Sequence, residues 1–184
     1  VVTKLSPLSD LTADTQPEAA ANAAEISVFK SRHALSGNAP WLLLHRVAHR
    51  HGWNGAVWSR LRDLKSAGVI AGLGVSVQSP TELKAVINDP DVQMIQLPLN
   101  LLDWRWRHAN ADEMFVARPD VEVHVRSVFL QGILLRDTGE WPAVPGLDAM
   151  AINRILQALV KKLRRDNTAD LCLAYVRSFP WING

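Results

Sequence analysis

The chain has 184 residues, 48% of them hydrophobic and 21% charged, with a formal charge of +2. That length and apolar content suffice for one well-filled core, and a near-neutral balance argues against nucleic acid or membrane as a partner. A single cysteine, Cys172, excludes an intrachain disulfide and fits a reducing compartment; with no apolar run near the roughly 20 residues of a bilayer span and no leader pattern, a cytoplasmic protein is expected.

The opening stretch VVTKLSPLSD reads as a strand already in progress. Val1, Val2 and Leu5 are strand formers, Lys4 stands at the strand's end, and Pro7, Ser9 and Asp10 turn the chain. Thr15 and Glu18 frame a capping box with Pro17 in the first turn, and the alanine-rich run to about Leu35 continues as helix. WLLLH at 41–45 is a short apolar run suited to a strand covered on both faces. Val57, Trp58, Leu61 and Leu64 recur at helical spacing, so the pattern predicts a helix over 53–67 that Gly68 ends.

VIAGLGVS at 69–76 reads as a strand weakened by its glycines. Ser79-Pro80-Thr81-Glu82 is a second capping box, and VQMIQL at 92–97 is the next strand. A helix is expected near 109–118. Residues 121–126 then alternate, with Val121, Val123 and Val125 on one face and Glu122, His124 and Arg126 on the other. A helix over 147–165 places Ile152, Ile155, Leu156, Leu159 and Leu163 on one side, and Thr168 caps a last helix that stops before Pro180.

Strand and helix in regular alternation mean βαβ units and a parallel sheet of five strands, in one domain spanning 1–184. A doubly wound sheet and part of a (β/α)8 barrel both fit. The polar face of Glu122, His124 and Arg126 favours the barrel, whose interior turns polar near its mouth. Functional residues of a barrel gather at the C-terminal strand ends, which here carry Lys4, His45, Ser76, Gln96 and Arg126-Ser127. His45, His49 and His51 do not make a metal set, because His45 ends a strand and no carboxylate joins them. Trp104 and Trp106 either wall a pocket or pack in the core, and Cys172 is expected to be a buried small residue.

Six segments in order, TKLSPL, WLLLHR, LKSAGVIAGLGVS, QLPLN, RSVFLQGILL and LAYVRSFPWING, together resemble the aldo-keto reductase family, closest to a bacterial branch with the VRSVFLQG string. The resemblance implies a (β/α)8 barrel that reduces an aldehyde or ketone with NADPH, NADH being the alternative. It implies Lys4 as the catalytic lysine and His45 as the active-site histidine, with a tyrosine protonating the carbonyl oxygen. It implies Ser76 and Gln96 at the nicotinamide carboxamide, and Ser127, Phe129 and Gln131 in the loop over the pyrophosphate. Arg126 stands where many members stack a tyrosine on the nicotinamide, and Val77 where many have an asparagine.

On this reading the five strands are the family's third to seventh, and the tyrosine and its partner aspartate would precede Val1. The segment alone is then expected to be inactive, with exposed sheet edges. The partner is a small carbonyl compound, and the alternatives are a non-catalytic binding module of the same fold or an unrelated barrel lyase or isomerase.

Overall fold

The computed structural model describes residues 1–184. Five strands alternate with helices: β1 (Val2–Lys4), α1 (Pro17–Ala34), β2 (Trp41–Leu44), α2 (Ala56–Ser66), β3 (Gly72–Ser76), α3 (Pro80–Val86), β4 (Met94–Pro98), α4 (Arg105–His108), α5 (Ala111–Val116), β5 (Glu122–Arg126), α6 (Ala149–Lys162) and α7 (Thr168–Arg177). All four pairings are parallel and the strand order is β1-β2-β3-β4-β5. A doubly wound sheet reverses direction at a switch point, whereas this order never does, which is the progression of a (β/α)8 barrel. After α7, the Asn183 N–H donates to the Val123 carbonyl at 2.8 Å and the Val125 N–H donates to the Gly184 carbonyl at 2.7 Å. Residues 183–184 thus extend the sheet beyond β5.

The register divides each strand into two faces. Leu42, Leu44, Leu73, Val75, Ile95, Leu97 and Val123 face the helices and join the main hydrophobic cluster of 30 buried residues. The opposite face carries Lys4, Leu43, Gly74, Ser76, Met94, Gln96, His124 and Arg126, which the pairings set side by side. Its lower part is filled by Leu43 and Met94, both fully buried.

The glycines of β3 have a packing reason. A Cβ on Gly72 would overlap the Trp41 indole, and one on Gly74 would meet the Met94 carbonyl and the Leu43 side chain. They let a lumen-facing tryptophan and leucine lie flat on the neighbouring strand.

Alanines do similar work on α1, where Ala20, Ala21, Ala24 and Val28 are buried beneath the helix. Arg60 on α2 reaches Glu18 at 2.7 Å and pairs with Glu25, tying the two helices together. A second cluster of Leu134, Leu156, Val160, Leu171 and Cys172 holds α6 and α7 to the 133–135 turn. No helix is long and apolar enough to cross a membrane.

Several helix ends differ from the sequence expectation. The residue capping α1 is Gln16, without a side-chain cap bond, while the Thr15 hydroxyl turns back to accept from the Thr12 N–H at 3.0 Å. Helix α2 starts at Ala56, because Trp53 and Asn54 take left-handed backbone angles of φ 52° and 54°. The cap of α7 is Asn167, whose Oδ1 accepts from the Asp170 N–H at 3.0 Å, one residue before Thr168. The helix expected near 109–118 forms as Ala111–Val116, preceded by a separate short turn of helix at Arg105–His108, with Asn110 between them at φ 55°. On α6, Leu156 and Val160 face the core, whereas Ile155 and Leu163 are 60% and 51% exposed.

The Ser79 box forms as expected: Ser79 Oγ accepts from the Glu82 N–H at 3.2 Å, and Glu82 Oε2 from the Gln78 N–H at 2.5 Å.

Candidate active site

Because parallel strands end together, one end of this sheet collects every strand-terminal side chain. Lys4, Ser76, Gln96 and Arg126 lie on the lumen face at that end, and His45 follows the last residue of β2. Ser76 and Gln96 are register partners on adjacent strands, and Gln96 pairs in turn with His124 on β5. One layer deeper sits Glu122, whose Oε1 lies 2.8 Å from His124 Nε2. The polar face that 121–126 announces by alternation is therefore a barrel interior.

Burial and charge set the state of the mouth. The Lys4 ammonium is shifted below its ordinary pKa, first by burial and then by the Arg126 guanidinium. Burial alone lowers Arg126. Three polar atoms here are buried with no hydrogen-bond partner: His45 Nδ1, Gln96 Oε1 and Arg126 Nε. Leaving a buried polar atom unmatched costs about 1–3 kcal/mol, and these three lie at the same end of the sheet.

Beyond β5 the chain makes a tight turn. Ser127, Leu130 and Gln131 have φ of 60°, 48° and 56°, Gly132 has 87°, and the Leu130 N–H donates to the Ser127 carbonyl at 2.8 Å. Ser127 Oγ lies 3.5 Å from Arg126 Nη1, and Gln131 is exposed in the same turn. Phe129 instead packs against the α6–α7 cluster and anchors the turn.

Two other expectations are corrected. Trp106 is 1% exposed within the main core, its Nε1 donating to Asp103 Oδ2 at 3.2 Å, so it does not wall a pocket. Trp104 is 62% exposed and sits edge-on to His108. Val77 is fully buried among helix-facing residues, with its N–H donating to the Gln96 carbonyl.

His49 is a residue whose setting sequence reasoning missed. It is 6% exposed, its ring is 5.3 Å from that of Trp53, and Nδ1 has no partner. It lines a cleft of about 430 Å³ with Arg46, Ser9 and Thr12, between the loops that follow β1 and β2. The four-residue spacing from His45 was the available signal. A cleft of about 680 Å³ between residues 134–138 and the α6–α7 helices holds none of the strand-end residues.

A sequential parallel sheet of five strands with helices on its outer face is the architecture of part of a (β/α)8 barrel. The solved structures it matches are consistently aldo-keto reductases, and the chain has their fold. An aldo-keto reductase of Bacillus halodurans, in its apo form, aligns over 98% of this chain and 57% of its own at 18% identity and a TM-score of 0.67. The glycerol dehydrogenase of Gluconobacter oxydans aligns over 92% and 54%, at 18% and 0.64. An aldo-keto reductase of the silkworm Bombyx mori in complex with NADP aligns over 97% and 55%, at 17% and 0.59. The chain thus spans about half the length of the solved structures it matches. No protein-family model and no curated protein sequence matches it.

Proposed function

We propose that this chain carries the carbonyl-reducing site of an oxidoreductase of the aldo-keto reductase type. The observation that carries the reading is the convergence of Lys4, His45, Ser76, Gln96 and Arg126 on one barrel mouth, with three of them holding buried, unmatched polar atoms. The fold shared with aldo-keto reductases supports it.

The residues fit a nicotinamide. Gln96 Oε1 is an acceptor in want of an amide N–H, and the Ser76 hydroxyl, one strand away in register, offers a donor to an amide oxygen. Ser127 and Gln131 in the tight turn would lie along the phosphates, and the NADP-bound silkworm relative favours NADPH over NADH. When bound, the cofactor supplies the hydride that reduces the carbonyl carbon.

His45 orients the carbonyl through its oxygen. Lys4 supplies positive charge beside that oxygen and beside the phenol that protonates it, holding the phenol's pKa down. The single tyrosine of these 184 residues, Tyr175, is on α7 between Arg107 and Phe179 and is not that phenol. One hydride and one proton convert the carbonyl to an alcohol.

Titration of NADPH into the 184-residue chain tests the reading, using energy transfer from its 7 tryptophans. Saturable binding weakened roughly tenfold by Gln96→Ala or Ser76→Ala is expected, the loss of one hydrogen bond to a matched group. A folded chain that shows no saturable binding overturns it.

A further inference from the structure

His49 sits in a pocket that suits only one of its charge states. The side chain is 6% exposed, its ring lies 5.3 Å from that of Trp53, and Nδ1 is buried with no hydrogen-bond partner. An atom already shut off from solvent is out of reach of anything added around it, so the residues now packed on the ring fix that state. A neutral imidazole accepts it by carrying its proton on Nε2 and leaving Nδ1 an idle acceptor. In an imidazolium both nitrogens are donors, and the inner one would be a buried charged N–H with nothing to receive it.

The surrounding charges press the same way. Burial first, then Arg46 and His45 on its own segment, hold the His49 pKa below the ordinary 6.5. Arg50 of that segment is paired with Asp89, and His51 is exposed. From the loop after β1, the cleft beside His49 takes Ser9, Thr12 and apolar residues, so Asp10 and Asp14 do not face it. Helices α1 and α2 put no charged side chain on the cleft.

The segment around His49 is closed under strain. Residues 47–50 and 52–55 are single turns of 3-10 helix, and in the second Trp53 and Asn54 take φ of 52° and 54°. That region is sterically costly for a side chain as bulky as tryptophan. The indole rests on the main core, and its Nε1 donates to the Thr12 carbonyl at 2.8 Å. This one bond crosses from the loop after β2 to the loop after β1.

We infer that His49 and Trp53 form an acid-released latch between the two loops: a proton on His49 drives the imidazole out of its pocket, breaks the Trp53–Thr12 bond and frees residues 46–55. The cleft of about 430 Å³ gives the ring its way out, and release relieves the left-handed backbone at Trp53. The freed segment begins at the residue after His45, so acid loosens the support of that strand end. The latch operates whatever chemistry the strand ends carry. Between the lowered pKa and 6.5 only the released form takes up the proton, so the released-to-latched ratio should rise about tenfold per unit of pH lost.

The test follows the indole N–H signals of the 7 tryptophans by two-dimensional NMR of the intact 184-residue chain, from about pH 7.5 to about 5, above the carboxylate range. Trp53→Phe and Trp106→Phe assign the two signals that matter. The Trp53 signal is expected to move from a hydrogen-bonded to a solvated position with a midpoint below 6.5, while Trp106, 1% exposed in the core, stays fixed. His49→Phe, which keeps a ring and takes no proton, should hold the Trp53 signal still over the whole range. His49→Gln serves the same purpose if the larger ring disturbs folding, which circular dichroism reports, and His51→Gln should leave the midpoint where it was.

A Trp53 signal that stays fixed down to about pH 5 overturns the inference, whether or not His49 takes up a proton. So does a transition that persists in the folded His49 variants, which would assign it to another group. Movement of Trp106 at the same midpoint would show general acid unfolding and overturn it equally.

Discussion

Asn183 holds both backbone groups of Val123: its Oδ1 accepts from the Val123 N–H at 2.7 Å, and its own N–H donates to the Val123 carbonyl at 2.8 Å. One residue therefore sets the register of the last segment against β5. The bond also satisfies an amide that would otherwise be orphaned beside a buried valine.

Replacing that side chain is the first prediction. Asn183→Ala leaves the Val123 N–H buried and unmatched, at a cost of about 1–3 kcal/mol. For a chain of this size that is a fall in Tm of roughly 2–4 °C per kcal/mol, readable by calorimetry. An unchanged Tm would mean that the segment is not docked through this residue.

A second prediction concerns the close approach of β3 and β4. Gly74→Ala forces a methyl group into the Met94 carbonyl and the Leu43 side chain, and the carbonyl cannot give way without moving the strand. A loss of about 3 kcal/mol is expected, the upper end of the usual overpacking cost. Gly139→Ala, where nothing lies within 4 Å, is the control and should change stability by less than about 0.5 kcal/mol. Urea unfolding of the two variants side by side decides it.

The third follows from the charge at the mouth. Lys4 has a folded pKa below its ordinary 10.5, from burial and from Arg126. In the window between the lowered value and 10.5 the unfolded chain binds more protons than the folded one, so stability from this group rises with pH there. Below that window the cost of burying the ammonium is fully present. Lys4→Met should thus stabilise the chain at neutral pH, and the difference from wild type should shrink as pH climbs toward 10.5. A gap that stays constant with pH would show that Lys4 is not perturbed.

Turnover supplies a fourth. With its only tyrosine engaged on α7, the 184-residue chain has no phenol at the mouth, so it should bind NADPH without oxidising it faster than the carbonyl substrate does alone. Consumption above that background, followed by NADPH absorbance, would show that Lys4, His45 or ordered water delivers the proton.

Most of the fold was legible because its strands are short apolar runs bounded by turn residues. The barrel itself was visible in one alternating stretch, 121–126, whose polar face has no place in a sheet covered by helices on both sides. The polar strand ends followed directly, since Lys4, His45, Ser76, Gln96 and Arg126 lie at or near the end of each strand.

What escaped was decided by contacts distant in sequence. Thr15 matches a capping pattern, but its hydroxyl finds Thr12 first. Trp106 is as good a pocket wall as a core residue until Asp103 takes its indole N–H. On α6, Ile152, Leu156, Leu159 and Val160 pack on the α7 side while Ile155 and Leu163 stay exposed, because periodicity does not measure how wide a face its neighbours cover. The unmatched His49 depends on two loops folding together around one cleft.

The strictly sequential strand order bears on how the chain assembles. Each strand pairs with its neighbour in the chain and with no earlier one, so the sheet can be laid down from Val2 to Arg126 one βα unit at a time. Each pairing among these five strands needs only the loop closure of a single crossover. During synthesis, the growing edge is always the most recently added strand. Lys4 and His45 stand early in that order and Arg126 at its end, so the strand-end residues come together only when all five strands are paired.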